Sequence, residues 1–252
     1  MSRILIKRSR LVGKKRTVES NKSLGLNLAF IAGAINAGGF IAVQQYTSHM
    51  TGVLSLAADS IVLKNWVSFF SMVLYIFCFI LGAATTVIMV MSARKKHLNS
   101  QYAWPLIFEA ILLIIFGIVS NLYKASSEVY IYYMVALLCY LMGLQNALIT
   151  KISNTTIRTT HVTGMITDIG IELGKLLSSF SYNKEKIFLH SSVVLMFFIG
   201  GVLGAYGFKY IGFLSVFPLS GYLLFISYNP IKRDLILDKY LSYRLRRKQV
   251  KY

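Results

Sequence analysis

Six stretches of this chain are each long and apolar enough to cross a lipid bilayer, and they constrain the fold more than any other feature. They run over 24–45, 66–91, 103–121, 129–150, 187–208 and 211–228. A hydrocarbon layer of roughly 30 Å takes about 20 helical residues to span. The pattern predicts an all-α membrane protein with six transmembrane helices. Composition agrees, since 56% of the 252 residues are hydrophobic and only 14% are charged, more apolar surface than a soluble domain of this size can hide. The first stretch is the most diluted, by Gly25, Asn27, Gly33, Asn36, Gly38 and Gly39.

A net charge of +18 would suggest nucleic acid in a soluble protein, but here the charges follow the spans. With six alternating crossings, all of the 27 lysines and arginines except Lys64, Lys124 and Lys209 fall on one side. Positive loops are retained in the cytoplasm, so both termini are expected there. The division expected is a basic tail over 1–23, one membrane domain over 24–228 and a second basic tail over 229–252. The cluster from Arg244 to Lys251 reads as a juxtamembrane contact for anionic headgroups rather than a nucleic-acid patch. The bilayer is the expected partner, and homo-oligomerisation stays open. Cys78 and Cys139 lie inside spans with no ligand-like neighbours and are read as packing residues. No metal or other cofactor is expected.

The chain also repeats itself. Thr47-Ser48-His49-Met50-Thr51-Gly52 matches Thr159-Thr160-His161-Val162-Thr163-Gly164. Asn36-Ala37 is echoed by Asn146-Ala147, and Leu81-Gly82-Ala83 by Leu203-Gly204-Ala205. Each half, 24–121 and 129–228, holds three apolar stretches, and an odd number makes the second copy enter from the opposite face. The expected architecture is a 3+3 inverted-topology repeat.

Both motifs fall in segments too polar to span, 47–64 and 151–186, which suits them to re-enter the membrane. Backbone that leaves regular helix at membrane depth has to line a cavity or be buried in protein. Hydroxyls, imidazole and glycine fit that duty. The candidate solute-binding residues are Thr47, Ser48, His49, Thr51, Gly52, Gln145, Asn146, Thr159, Thr160, His161, Thr163 and Gly164, and the candidate proton- or ion-coupling residues are Asp59, Glu109 and Asp168. Each has a plainer reading. Glu109 is placed by sequence to snorkel to the inner interface. Asp168 belongs to a helical stripe with His161, Gly164, Glu172, Lys175 and Ser179 that can face water from the inner surface. Gln145 and Asn146, like Asn36, Gln44 and Gln45, can be glue between helices. Asp59, set among Leu54, Leu56, Ile61, Val62 and Leu63, is expected to bury its carboxylate if its segment re-enters.

Gly143-Leu144-Gln145-Asn146-Ala147, followed by 159–170 and preceded by the motif at 47–52, resembles the YoaK family of bacterial membrane proteins over about Leu24 to Tyr228. The resemblance implies an integral membrane protein of unknown function and carries over no site residues. Where the family pattern has Asn after the first Thr-Gly, this chain has Val53. The repeat favours a small secondary transporter or permease for a small polar solute, with a site between the halves. The alternatives are a membrane-embedded enzyme acting on a lipid-type substrate, for which no nucleophile or metal signature occurs, and a non-transporting scaffold or sensor.

Overall fold

A computed structural model describes residues 17–123 and 128–249. The basic residues before 17, Lys124 and Lys251 lie outside the described residues, as do the side chains from 237 onward. Within the described chain there are eight α-helices and no strand: α1 (Val18–Val43), α2 (Met50–Val62), α3 (Trp66–Lys95), α4 (Ala103–Tyr123), α5 (Glu128–Ile152), α6 (Val162–Leu177), α7 (Lys184–Ile211) and α8 (Val216–Gln249). Five stretches are long and apolar enough to cross a membrane, and the last runs from Lys184 to Ile236. That run is broken by a short 3-10 turn at Gly212–Ser215, entered at a positive φ of 67° that glycine tolerates without strain. The apolar helices are those of a multi-pass membrane protein.

The long helices begin where short polar side chains can satisfy free N–H groups. Thr17 Oγ1 accepts from Ser20 N at 3.2 Å, Asn65 Oδ1 from Ser68 N at 3.1 Å and Asn183 Oδ1 from Lys186 N at 3.0 Å. Arg94 and Lys95 close α3, where cations meet the negative end of the helix dipole. Helix α8 does not stop at 228. It continues through Pro230 to Gln249, so the boundary expected at 229 is not the end of a helix. Asp234, beyond that boundary, ties α8 to the loop before α4. Its carboxylate accepts from Asn99 N at 3.0 Å, Asn99 Nδ2 at 2.9 Å and Ser100 N at 2.8 Å.

The most extensive helix contacts run between the halves. Helix α1 packs most extensively on α7, α3 on α5, and α4 on α8, while α1 and α5 meet directly and α2 and α6 lie against α3 and α7. Exchanging residues 18–123 with 128–249 maps each of these pairings onto another or onto itself, whereas the smaller α4·α5 and α3·α4 contacts have no comparable counterpart. Helices α1 and α5 run antiparallel, since Asn21 Nδ2 donates to Ile152 O at 3.2 Å and Gln145 Nε2 to Leu28 O at 3.1 Å, and Gly39 faces Leu138.

Glycine permits the closest crossings. A Cβ at Gly33 would overlap the Phe197 carbonyl, and one at Gly200 the Phe30 carbonyl; the same overlaps join Gly143 to Phe79 and Gly82 to Tyr140. Gly33 and Gly143 are 110 residues apart, as are Phe30 and Tyr140, whereas Gly82 and Gly200 are 118 apart, as are Phe79 and Phe197. Gly82 therefore corresponds to Gly200 and not to Gly204, and the sequence match at 81–83 and 203–205 is out of register by one helical turn. The counterpart of Gly204 is Thr86. A Cβ at Gly204 would overlap the Ala34 carbonyl, and Thr86 Oγ1 donates to the equivalent Leu144 carbonyl at 2.8 Å.

Replacing Gly82 or Gly200 by alanine should lower unfolding stability in detergent by about 1–3 kcal/mol, because the facing backbone cannot yield. Gly170, with open space around its Cα, should accept alanine with no loss or a gain of up to about 1 kcal/mol from helix propensity. Equal effects at buried and open glycines would contradict the crossing geometry.

Candidate functional site

The two Thr-x-His-x-Thr-Gly motifs build the same local structure twice. Each histidine is the N-cap of a short helix, His49 for α2 and His161 for α6, with φ,ψ of −92°, 69° and −88°, 51°, and neither helix has a side-chain cap. Each imidazole folds over its own first turn. A Cβ on Gly52 would meet His49 Nδ1 at 2.7 Å, and one on Gly164 would overlap His161 Nε2. The glycine three residues after the histidine leaves room for the ring in this position. The correspondence continues along both helices, where Ser55 Oγ donates to Thr51 O at 3.1 Å and Thr167 Oγ1 to Thr163 O at 3.0 Å.

Before α2 the chain doubles back on α1. Ser48 donates from its N–H at 3.0 Å and its hydroxyl at 2.9 Å to Asn36 Oδ1. Asn36 precedes the C-cap of α1, Gln44, by eight residues, so the motif returns roughly 12 Å alongside the helix it has just left. Thr47 and Thr159 are wholly buried, and neither hydroxyl has a hydrogen-bond partner. The second copy differs in one respect. Asn146 Oδ1, in the place of Asn36 Oδ1, is buried with no partner. Gln145 acts as glue through its bond to the Leu28 carbonyl, although its own Oε1 is buried and unbonded.

Two clefts lie beside the breaks. One, of about 220 Å³, is lined by Phe40, Gln44, Gln45, Tyr46, His49, Gly52, Val53 and Leu56. It contains no residue of the second half, so His49 and His161 do not share it. The other, of about 470 Å³, holds Lys22, Thr155, Thr156, Asp168, Glu185, Lys186 and His190 among its walls. Here Asp168 pairs with Lys186 at 3.1 Å and faces His190 Nδ1 at 3.5 Å. The corresponding positions beside the first motif are Leu56 and Met72, so the charge is confined to the second-half cleft. His190 was not singled out by sequence, because only the crossing of α6 over α7 shows that it faces Asp168.

Helix α6 corrects an expectation. Its polar stripe faces water only in part: Asp168 is half-buried and turned onto α7, and Glu172 is buried, accepting from Lys175 Nζ at 2.8 Å and from Asn183 N at 2.8 Å, while His161, Lys175 and Ser179 are exposed. Ile166, Leu173, Leu177 and Phe180 are exposed as well, on the side away from the protein. Asp168 and Glu172 find partners at the start of α7, in Lys186 and the Asn183 N–H. Asp59 corrects another, since it is exposed on α2 and its carboxylate is not buried. Thr51, Thr163, His49 and His161 are exposed too, while Ser48, Gly52, Thr160 and Gly164 are half-buried.

Glu109 corrects a third. It does not snorkel; it is fully buried, with no partner for either carboxylate oxygen. Its helix, α4, runs antiparallel to α8, the pair pinned at one end by Asp234 on Asn99 and Ser100 and at the other by Gly117 against Val216 and Phe116 against Phe213. Glu109 is eight residues from Gly117, roughly 12 Å from that end. Ser227 on α8 is also buried with an unbonded hydroxyl. The three coupling candidates lie on different elements: Asp59 exposed on α2, Asp168 in the charged cleft and Glu109 buried on α4. No group of three or more histidine, cysteine or acidic side chains able to hold a metal ion occurs among the described residues.

A family model described as a protein of unknown function (DUF1275) matches residues 24–228. No curated protein and no solved structure matches the chain.

The Glu172 carboxyl is held below the ordinary value of 4.5, first by its hydrogen bond from Lys175 and then by the Asn183 N–H. A lowered folded-state value means that this contact stabilises fully above the ordinary carboxyl range and is lost as pH falls through the depressed value. Glu172→Gln should therefore be less stable than the parent at pH 7, and the gap should close as pH falls below the ordinary carboxyl range and through the depressed value. A gap that stays constant with pH would remove Glu172 from the account.

Proposed function

The chain belongs to the DUF1275 family, the one that includes YoaK, and we propose that it is a small proton- or ion-coupled membrane carrier for a small polar solute. The observation that carries this reading is Glu109, an acid wholly out of water with neither oxygen bonded. An ionised carboxylate without a partner costs several kcal/mol away from water. Such a group has to travel with a proton or a cation and changes its state only when the bundle opens to one side. A purely structural helix pair gains nothing from it.

In this proposal the run from Lys184 to Ile236 crosses twice, giving six spans, and the halves are an inverted repeat with both termini on the cytoplasmic side of a bacterial cell membrane. Support comes from the exchange symmetry of the pairings and from the four matched glycine crossings. Segments 47–64 and 151–186 re-enter, supported by the return of Ser48 to Asn36 and by exposed Leu54, Leu56, Ile61 and Val62 on α2 and Ile166, Leu173 and Leu177 on α6; exposed Asp59, toward the far end of α2, is the residue of the first segment that departs from this reading. The two motifs then form separate approaches, one from each compartment, with Glu109 between them, in place of one cavity shared by His49 and His161. Movement of the halves about the α4·α8 pair would alternate access to the acid.

Glu109→Gln, reconstituted into liposomes, should fold with undiminished stability and lose proton-driven uptake by at least about tenfold. Unchanged proton-coupled flux in that variant would exclude Glu109 as the coupling group. His49→Ala with His161→Ala should also depress uptake while the protein remains folded.

A further inference from the structure

We infer that the charged cleft of the second half is a binding site for a small zwitterion of the α-amino acid class; this rests on the carrier reading for the statement that the guest is carried, and it names the solute. The cleft opens where three helices meet the second break. Lys22 comes from α1, Asp168 from α6, and Glu185, Lys186 and His190 from the first two turns of α7, with Thr155 and Thr156 supplied by the break. Its volume of about 470 Å³ lies in the ordinary range for a small-molecule site. Beside the first motif Leu56 and Met72 take the places of Asp168 and His190, so the site has no twin in the other half and belongs to one approach alone.

Two independent observations point to a guest that carries both signs of charge. The acids and lysines of the cleft are paired across it, Lys22 with Glu185 at 3.7 Å and Lys186 with Asp168 at 3.1 Å, and all four side chains are more than a third exposed. Ion pairs this open to water stabilise little, so they exchange readily for contacts with a guest. A guest of one sign would displace one member of each pair and leave it uncompensated, whereas a guest with an ammonium and a carboxylate replaces both of the partners it parts.

The second observation is His190. It is only 6% exposed, it lines the cleft, and its Nδ1 has no hydrogen-bond partner. That nitrogen lies 3.5 Å from Asp168 Oδ2, which lines the same cleft. In the neutral imidazole with its hydrogen on Nε2, Nδ1 is an acceptor, so it and the carboxylate face each other with no hydrogen between them. An ammonium group has three N–H donors and no lone pair. Seated there, it donates to Asp168 Oδ2 and to His190 Nδ1 and keeps one hydrogen for a threonine hydroxyl of the break. Lys186 and Lys22, released from their acids, hold the carboxylate of the same molecule by charge-assisted bonds.

The test uses the full chain in nanodiscs, with the protein amino acids each added alone as probes and with methylamine and acetate as controls of single charge at equal ionic strength. At least one amino acid should raise the unfolding temperature, and methylamine and acetate, separately or together, should not. For that amino acid, Asp168→Asn and His190→Phe should each weaken binding at least about tenfold. Lys22→Gln, at the exposed rim, should weaken it too and is read if either of the others loses its fold, whereas Lys184→Gln, outside the cleft, should bind as the parent does. A variant of Asp168 or Lys22 that unfolds at the parental temperature without probe and responds normally to it overturns the assignment. So does a parent that responds to none of the amino acids, or equally to methylamine or acetate alone. In liposomes, proton-driven uptake of the bound amino acid that Glu109→Gln loses while still binding it supports the site and the carrier together. Binding without any flux supports the site and removes the carrier reading; proton-coupled flux in a parent that binds none of the probes overturns the site and leaves the carrier reading intact.

Discussion

Close backbone contact at four glycines is the constraint on which the rest of the molecule depends. Where Gly33 meets Phe197, Gly200 meets Phe30, Gly82 meets Tyr140 and Gly143 meets Phe79, the facing helix comes too near for any side chain. Apolar helices in lipid gain little from hydrophobic association, since acyl chains are as apolar as leucine, so intimate van der Waals packing has to hold them together. These crossings supply it between halves. Helix α1 leans on α7 and α5 on α3, so neither half is complete without the other.

That interlocking makes the breaks possible. Helices α1 and α5 form the centre, lined by fully buried Leu24, Leu28, Ile31, Leu138, Leu141 and Leu148, and they are held on both sides. Each can therefore end and let the chain fold back along it without loss of the frame. In the first half the return is fixed by Asn36 receiving both donors of Ser48. The uncapped helix starts and unbonded threonines are departures from good local chemistry, and natural chains keep such departures where function needs them. Glu109 is the same kind of departure on the α4·α8 pair.

The two halves share a frame but not a surface chemistry. Asp168, Lys186 and His190 make one cleft charged, whereas Leu56 and Met72 stand in the corresponding places of the other, beside the stacked rings of Phe40 and Tyr46 at 4.4 Å. The individual side chains decide what each cleft attracts.

The sequence by itself determined the helical class, the apolar stretches, the motif pair and its glycines, because length, hydropathy and local conformational preference are properties of contiguous residues. It located Glu109 and both histidines without knowing their surroundings. Three things belonged to tertiary structure alone. The register of the second landmark, Gly82 with Gly200 and Thr86 with Gly204, depends on which carbonyl each residue meets on another helix. The burial of Glu109 depends on the helices packed around α4, and the inward turn of Asp168 and Glu172 depends on cations and an N–H group at the start of α7. An amphipathic pattern gives a helix two faces, but only the neighbour's chemistry decides which of them turns inward, since both a polar and an apolar surface can find a favourable environment at the edge of a bilayer.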